Sequence, residues 1–548
     1  MPSTTPEKSP NPLNDSDDLA HVPAEVSLQD FEFADNGRAP FILSIPELKL
    51  LAIAGVGFFL DAYDLFIINP VTTMLQYRLY DGHSLPPGLE GFVKAAANIG
   101  SVIGQFVFGY AADYFGRSAV YGKELIVIIV ATILCISAPT GQIPPNGTLI
   151  WLGVFRIMLG IGVGGDYPMS ASVSTDRARL RKRGVMLAYI FANQGWGSLV
   201  GSLATVIVLA CYKTAIETDG ETSKLDGAWR IVIGLSLIPA FATLYARLTL
   251  PESKRFEEAK DNHLYLKEID PVNLNDADKN SEESSKDATN TPALKPIEEK
   301  AVPPVPKAKL GQKAHWREFI HYFSQWRHAK HLIGTSVCWF LLDIAFYGIN
   351  LNQNVVLQQI GFDGKTGSPW HRLFKIGVGN LIITVLGFVP GYYVTVLTIE
   401  YLGRKWIQIQ GFLMEALFLG ILAGNFYKLS QPAFIVCFAF LQFFFNFGAN
   451  ATTYCYPAEL FPTKYRAFAH GISAASGKAG AIISALAFNS LSKDIGTPKV
   501  LWIFFGCCLG GAVFSLILPE VRGRDPDVIY AQELLEDSAS LNHSSSQA

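Results

Sequence analysis

The 548-residue sequence is poor in charge. Charged residues make up 17% of it and the formal net charge is only −3, which argues against a nucleic-acid partner. Residues 1–40 are polar and acidic and contain no apolar signal-peptide core.

The seven cysteines lie in or beside apolar runs, which predicts buried thiols rather than a disulfide framework. The glycines at 160–165 are not followed by Lys-Ser or Lys-Thr, so they do not form a nucleotide-binding loop. We expect neither a metal nor a cofactor.

Hydrophobic residues, in contrast, make up 50% of the chain. They fall into twelve runs of about 20 residues, the length that spans the hydrocarbon core of a bilayer. We therefore predict an all-α membrane protein with twelve transmembrane helices. The runs lie at 49–71, 92–112, 119–138, 149–171, 185–211, 229–250, 331–357, 373–397, 405–425, 432–456, 468–491 and 500–518.

Lys and Arg are distributed unequally between the loops. One set of loops is rich in them, whereas on the opposite side 139–148 has none and 426–431 has only Lys428. Basic loops stay in the cytoplasm, so we expect both termini and the central loop there. The basic set contains Arg117, Arg177, Arg179, Arg181, Lys182, Arg183, Arg404, Lys405, Lys464 and Arg466.

The two halves of the chain share sequence marks. An acid-x-x-Gly-Arg motif follows the second run at 113–117 and the eighth run at 400–404, and each half ends in Pro-Glu, at 251–252 and 519–520. Matched marks at corresponding places indicate an internally duplicated transporter. The predicted divisions are an N-terminal tail (1–45), a six-helix bundle (46–251), a charged central loop (252–330), a second bundle (331–520) and a C-terminal tail (521–548).

Ionisable residues inside the runs are candidate functional residues, because a charge at the bilayer centre costs at least about 2.5–3.5 kcal/mol. They include Asp61, Asp64, Arg156, Asp166, Asp343 and Lys478. Counted from the loop motifs, Asp61 matches Asp343, and Asp166 matches Asn450. We expect the polar groups of the first, fourth, seventh and tenth helices to converge on one cavity near the midplane.

The seventh run has a polar stripe. Trp339, Asp343 and Tyr347 are four residues apart, which places an indole N–H, a carboxyl and a phenol on one helix face. In the fifth run, Gln194 offers an uncharged amide that can donate to an oxyanion. The alternative for Gln194 is a hydrogen bond between helices.

Six strings of sequence, in order, resemble the phosphate:proton symporter branch of the major facilitator superfamily, found in fungi and plants. They are 61–66, 164–170, 191–194, 339–347, 446–453 and 469–478. The resemblance implies two six-helix pseudo-repeat bundles with cytoplasmic termini. It also implies import of inorganic phosphate, with arsenate as an analogue, coupled to protons by alternating access across the plasma membrane.

The resemblance also assigns roles to single residues. It implies a phosphate site formed by Tyr167, Gln194, Trp339, Asp343, Tyr347, Asn450 and Lys478. The proton-coupling acids would be Asp61, Asp64, Asp166 and Asp343. The gating residues would be Asp113, Arg117, Arg156, Glu252, Arg255, Glu400 and Arg404. The sequence departs from the branch at Thr175-Asp176, where the branch usually has Ser-Glu, and at 456–460, which reads Tyr-Pro-Ala-Glu-Leu where Pro-Gly-Glu-Cys is commoner. Both places are expected toward the cytoplasmic side.

Three alternatives remain open from the sequence. A proton-coupled glycerophosphodiester transporter would share most of these residues. A sugar or polyol carrier would share the loop motifs, but a neutral substrate gives no reason for Asp343 and Lys478 beside a polar pocket. A receptor-like sensor without transport would not need the proton-coupling acids.

Overall fold

The computed structural model describes residues 39–178, 180–251, 316–362, 367–530 and 532–533. Within these ranges, twelve helices are long and apolar enough to cross a membrane, which confirms the predicted fold class. They are α1 (Ile45–Leu79), α2 (Pro87–Phe115), α3 (Arg117–Ile136), α4 (Pro145–Arg177), α5 (Leu180–Cys211), α6 (Thr222–Leu248), α7 (Trp326–Asn350), α8 (Pro369–Leu402), α9 (Arg404–Gly424), α10 (Gln431–Leu460), α11 (Arg466–Asp494) and α12 (Thr497–Ser515).

The end of the bundle that carries the two acid-x-x-Gly-Arg loops, at Asp113 and Glu400, is called the motif end here. The other is called the opposite end. Predicted gating residues Glu252 and Arg255, like the rest of 252–315, lie outside the described residues.

Three of the helices that carry polar groups are interrupted. Helix α1 turns at Ile67, and α10 breaks between Asn446 and Ala449. Helix α7 ends at Asn350 and is followed by a short helix, Gln353–Gln359, where the sequence predicts one continuous run over 331–357. Backbone groups freed by an interruption must find partners inside the bundle.

The glycines of α4 permit close packing against α2. A Cβ added at Gly160 would lie 2.0 Å from the carbonyl oxygen of Ala97, and one at Gly164 would lie 2.2 Å from that of Ser101. Only glycine fits at such distances. The glycine run therefore has a packing role between α2 and α4.

The two halves meet along α2 with α11 and along α5 with α8. At the first contact, a Cβ on Gly471 would lie 2.5 Å from the carbonyl oxygen of Gln105. At the second, a Cβ on Gly195 would lie 3.0 Å from the ring of Tyr392. These close contacts enclose the polar side chains that lie between the halves.

A further helix, Trp316–Ser324, lies within the predicted central loop, next to the start of α7. Its Phe319 packs with Tyr465 and Phe468 at the motif end. Tyr530, from the segment after α12, belongs to the same buried cluster. Segments outside the twelve spans thus cover the motif end of the second half.

Candidate functional site

A hydrogen-bonded group from the first half lies at the centre of the bundle. Tyr167 of α4 donates to the Asp61 carboxylate of α1 at 2.5 Å. Gln194 of α5 donates to both, at 2.8 Å to Asp61 and 2.8 Å to the Tyr167 hydroxyl. Three predicted residues, two for phosphate and one for proton coupling, are therefore in direct contact.

Lys478 of α11 joins this group from the second half. Its ammonium donates to the Tyr167 hydroxyl at 3.4 Å and to the Tyr347 hydroxyl of α7. It also lies 4.9 Å and 4.2 Å from the centres of these two rings, where a cation is attracted to the π-face. One cation therefore contacts both halves.

Tyr392 of α8 links Gln194 to Asn450. Its hydroxyl donates to Gln194 Oε1 at 2.9 Å and accepts from Asn450 Nδ2 at 2.8 Å. Tyr392 is not among the site residues predicted from the sequence. A signal was available, since Tyr392 and the buried Gln105 each lie eight residues before the acid of their loop motif.

Trp339 and Asp343 of α7 complete the cluster. The Trp339 ring lies 6.2 Å from that of Tyr167 and is so close to Gly477 that a Cβ there would be 2.4 Å away. Asp343 Oδ2 and Asp61 Oδ1 are buried without a hydrogen-bond partner among the described residues. The seven predicted phosphate ligands are at most 4% exposed, so the cluster is closed to bulk water.

Asp166 is adjacent to Tyr167 in sequence but has different partners. Its carboxylate pairs with Arg247 of α6 at 2.7 Å, and Arg247 also pairs with Glu124 at 3.2 Å. Ser170 donates to it at 2.9 Å. Asp166 therefore belongs to an ion cluster within the first half, and Arg247 is not among the site residues predicted from the sequence.

Asp64 and Arg156 lie together nearer the opposite end. Arg156 donates to the backbone oxygens of Asp64 at 3.0 Å and Val93 at 3.2 Å. The Asp64 carboxyl oxygens have no hydrogen-bond partner among the described residues. The bonds of Arg156 tie α1, α2 and α4 together and involve none of the loop-motif residues.

The first loop motif holds the start of α11 in the other half. Asp113 accepts hydrogen bonds from the backbone N–H groups of Ala467 at 3.4 Å and Phe468 at 2.8 Å. A carboxylate at a helix N-terminus is favourable, because it faces unpaired N–H groups. Asp176 then pairs with Arg117 at 2.5 Å and with Arg466 at 2.6 Å, so this ion cluster also crosses between the halves.

The second loop motif repeats the arrangement in the reverse direction. Glu400 accepts from the backbone N–H of Val185, in the first turn of helix Arg183–Cys211 within α5, at 3.2 Å. Arg404 pairs with Glu400 at 2.8 Å and with Glu459 at 2.7 Å. Asp176 and Glu459, which lie in the two stretches that depart from the related branch, therefore supply the carboxylates at corresponding places.

The segment after α12 adds a further contact to the motif end. Asp527 accepts from the backbone N–H and hydroxyl of Thr463, each at 2.6 Å, and lies 3.6 Å from Arg466. Burial alone would raise the pKa of Asp527, but Arg466 and the Thr463 hydrogen bonds outweigh it and lower the pKa below the usual value. The contact is therefore present at neutral pH and is lost only when the pH falls below the ordinary range of aspartate.

Asparagine residues take part in three contacts that close the opposite end. Asn69 donates to the backbone oxygen of Asn350 at 2.6 Å, and Asn354 donates to Thr73 at 3.0 Å. Lys94 of α2 donates to the Asn352 side chain at 3.1 Å. All three bonds join the first half to the second, so the central cluster is enclosed at both ends.

The chain resembles known transporters over most of its length. The family described as "Sugar (and other) transporter" matches residues 50–529. A protein of Schizosaccharomyces pombe whose name includes "inorganic phosphate transporter" is 45% identical over 522 residues, covering 92% of this chain and 91% of that protein. Inorganic phosphate transporter PHO84 of Saccharomyces cerevisiae is 37% identical over 517 residues, covering 90% and 86%.

The fold is also found among solved structures. The proton:xylose symporter XylE, of the major facilitator superfamily, superposes with a TM-score of 0.65. The alignment covers 89% of this chain and 98% of that one, at 19% sequence identity. At this identity the likeness concerns the fold alone.

Proposed function

Because the chain belongs to the sugar (and other) transporter family, we propose that it is a secondary transporter that imports inorganic phosphate together with protons. Relatives at 37–45% identity carry inorganic phosphate transport in their names. The observation that carries the proposal is the buried cluster in which Lys478 contacts Tyr167 and Tyr347 beside Asp61. Both halves contribute to it, as alternating access requires.

The cluster suits an anion that is both a donor and an acceptor of hydrogen bonds. Dihydrogen phosphate presents P–OH donors and P–O acceptors, and the phenols and amides of the cluster can match either kind. Lys478 supplies the positive charge. The unpaired oxygens of Asp61 and Asp343 supply acceptors for protons or for P–OH groups.

Proton coupling follows from the carboxyl groups. An ionised Asp343 at about 4 Å from the anion would cost about 4 kcal/mol at an effective dielectric near 20. A protonated Asp343 instead donates a hydrogen bond to it. Protonation and phosphate binding therefore strengthen each other, and this linkage is what couples the two fluxes.

Other acids extend the proton pathway. Asp61 lies in the cluster itself, while Asp166 is held by Arg247, and Asp64 lies near Arg156. We assign the three to proton transfer along the first half. Because Arg247 also holds Glu124, its cluster has one more carboxylate than cation and can take up one proton without losing its ion pair.

The motif end is proposed to face the cytoplasm of the cell, with the protein in the plasma membrane. Release of phosphate inward then requires breaking the contacts of Asp113, Asp176 and Glu400 with the other half. Entry requires opening the amide contacts at the opposite end. Rocking of one half against the other around the cluster would open the two ends in turn.

The test is uptake of radiolabelled phosphate into proteoliposomes under an imposed pH gradient. We expect accumulation when the outside is acidic, and its loss when a protonophore collapses the gradient. Arsenate, which shares shape and protonation with phosphate, is expected to compete. Glycerophosphoinositol is expected to compete poorly, because the enclosed cluster has no open edge for a diester. Strong inhibition by the diester with little by arsenate would favour a glycerophosphodiester transporter instead.

A further inference from the structure

A polar cavity lies at the opposite end, beside the contacts that close it. Its volume is about 160 Å³, and it lies among α1, α2, α11 and the helix Gln353–Gln359. A water molecule takes about 30 Å³ of liquid volume, so the cavity has room for a small ion with part of its hydration shell. The lining residues that matter here are Thr73, Glu90, Lys94, Asn354, Asn489 and Lys493.

Asn489 provides an unused donor in this cavity. Its side chain is only 8% exposed, and its amide nitrogen has no hydrogen-bond partner among the described residues. A buried N–H group without a partner is costly. An acceptor bound in the cavity would satisfy it.

Lys94 provides a buried positive charge. It is 2% exposed, and its ammonium donates to Glu90 at 2.7 Å and to Asn352 at 3.1 Å. An ammonium has three donors, so these two bonds leave one for a ligand. Lys493, which is exposed, lies at the rim of the cavity. Because the cavity is lined by two cations, Lys94 and Lys493, and by one carboxylate, Glu90, it favours an anion.

The cavity is aligned with the central cluster. Asn489 follows Lys478 by eleven residues on α11, which is three helical turns, so the two side chains lie on the same face about 16 Å apart. Thr73 and Asn354, which bond to each other across the halves, line the cavity. An anion bound there would also compete with Asn352 for Lys94 and weaken the closure of this end.

We propose that this cavity is an outer waiting site for a small oxyanion, which binds before the opposite end opens and assists that opening. The identity of the anion as inorganic phosphate rests on the function proposed above. The site differs from the central cluster in every residue.

The test compares the kinetics of phosphate uptake by variants of the full chain. Asn489→Ala and Lys493→Met are each expected to raise the KM for phosphate roughly tenfold, the value of about one charged hydrogen bond, with Vmax unchanged. Asn425→Ala and Lys428→Met make the same changes at exposed positions of the same end, and we expect them to leave KM unaltered. Glu90→Gln removes the competing carboxylate and is expected to lower KM, a gain that damage to the fold would not produce.

Binding to the purified protein separates this site from the central one. Lys478→Met removes the cation of the central cluster, and we expect it to stop uptake while retaining radiolabelled phosphate at the cavity. Loss of all binding in Lys478→Met, or equal KM values for Lys493→Met and Lys428→Met, would overturn the waiting site. Failure of the wild type to take up phosphate while still binding it at the cavity would overturn only the proposed function.

Discussion

At the scale of single residues, the carboxyl of Asp343 is the first to test. It is buried with one oxygen unpaired, so its proton is expected to decide whether the anion is accepted. Asp343→Asn keeps a donor but cannot release a proton. We expect it to abolish uphill uptake of phosphate while phosphate–phosphate exchange survives.

The control variant for Asp343→Asn is Glu415→Gln, which makes the same change at another buried carboxyl. Glu415 is also a fully buried carboxyl of the second half, but it contacts Cys508 rather than the cluster. We expect this variant to accumulate phosphate like the wild type. Normal uphill uptake by Asp343→Asn would remove Asp343 from the coupling mechanism.

Tyr392 was identified as a site residue only from the structure, and its role in transport can be tested by mutation. Tyr392→Phe removes the hydroxyl between Gln194 and Asn450 and leaves two buried amide atoms without that partner. The loss of a buried partner costs about 1–3 kcal/mol, so we expect phosphate uptake at low concentration to fall at least about fivefold.

The neighbouring Tyr393 is the matched control. Its hydroxyl accepts from Trp196 at 2.7 Å in an exposed setting, so the change Tyr393→Phe removes an identical group outside the cluster. Its uptake should remain within about twofold of the wild type. Equal uptake by the two variants would show that the Gln194–Tyr392–Asn450 chain has no role in transport.

At the scale of helices, the contact of α9 with the break in α10 positions Asn450. A Cβ on Gly411 would lie 2.3 Å from the Cα of Gly448, so Gly411→Ala must push the two helices apart. Such overpacking costs about 1–3 kcal/mol. We expect a lower temperature of thermal unfolding and a reduced phosphate uptake, because Asn450 lies directly after the break.

Gly420→Ala provides the control on the same helix. A Cβ there would meet its nearest neighbour, Phe505, at an ordinary 3.5 Å. The Gly420→Ala variant should have the same temperature of thermal unfolding and the same phosphate uptake as the wild type. If Gly411→Ala behaves in the same way, the close crossing of α9 and α10 is not required.

At the scale of the whole molecule, the sidedness is open to a direct test. Asn146 lies in the first turn of α4 at the opposite end, and Arg181 is exposed at the motif end. In a background without native cysteines, we expect Asn146→Cys to react with an impermeant maleimide added outside intact cells. Arg181→Cys should react only after the membrane is opened, and the reverse pattern would invert the proposed topology.

The sequence was sufficient for the architecture and for the family, because twelve apolar runs and duplicated motifs depend on composition and order alone. It could not supply partners across the bundle. The polar residues of the fourth helix are expected to reach the cavity, whereas the structure shows Asp166 paired with Arg247. This arginine is brought to Asp166 by the packing of α6 against α1 and α3. The end of α7 at Asn350 likewise depends on tertiary contacts, such as its bond with Asn69, that no local pattern encodes.

The two loop motifs act on opposite halves: Asp113 holds the start of α11, and Glu400 holds the first turn of the main helix of α5. Neither half can complete this end with its own residues. Ion pairs and hydrogen bonds connect the halves at the motif end, and hydrogen bonds connect them at the opposite end. A covalent link is therefore not required to hold the two halves together. If the chain is divided within 252–315 and the two halves are expressed as separate polypeptides, we expect them to associate in the membrane and to restore phosphate uptake.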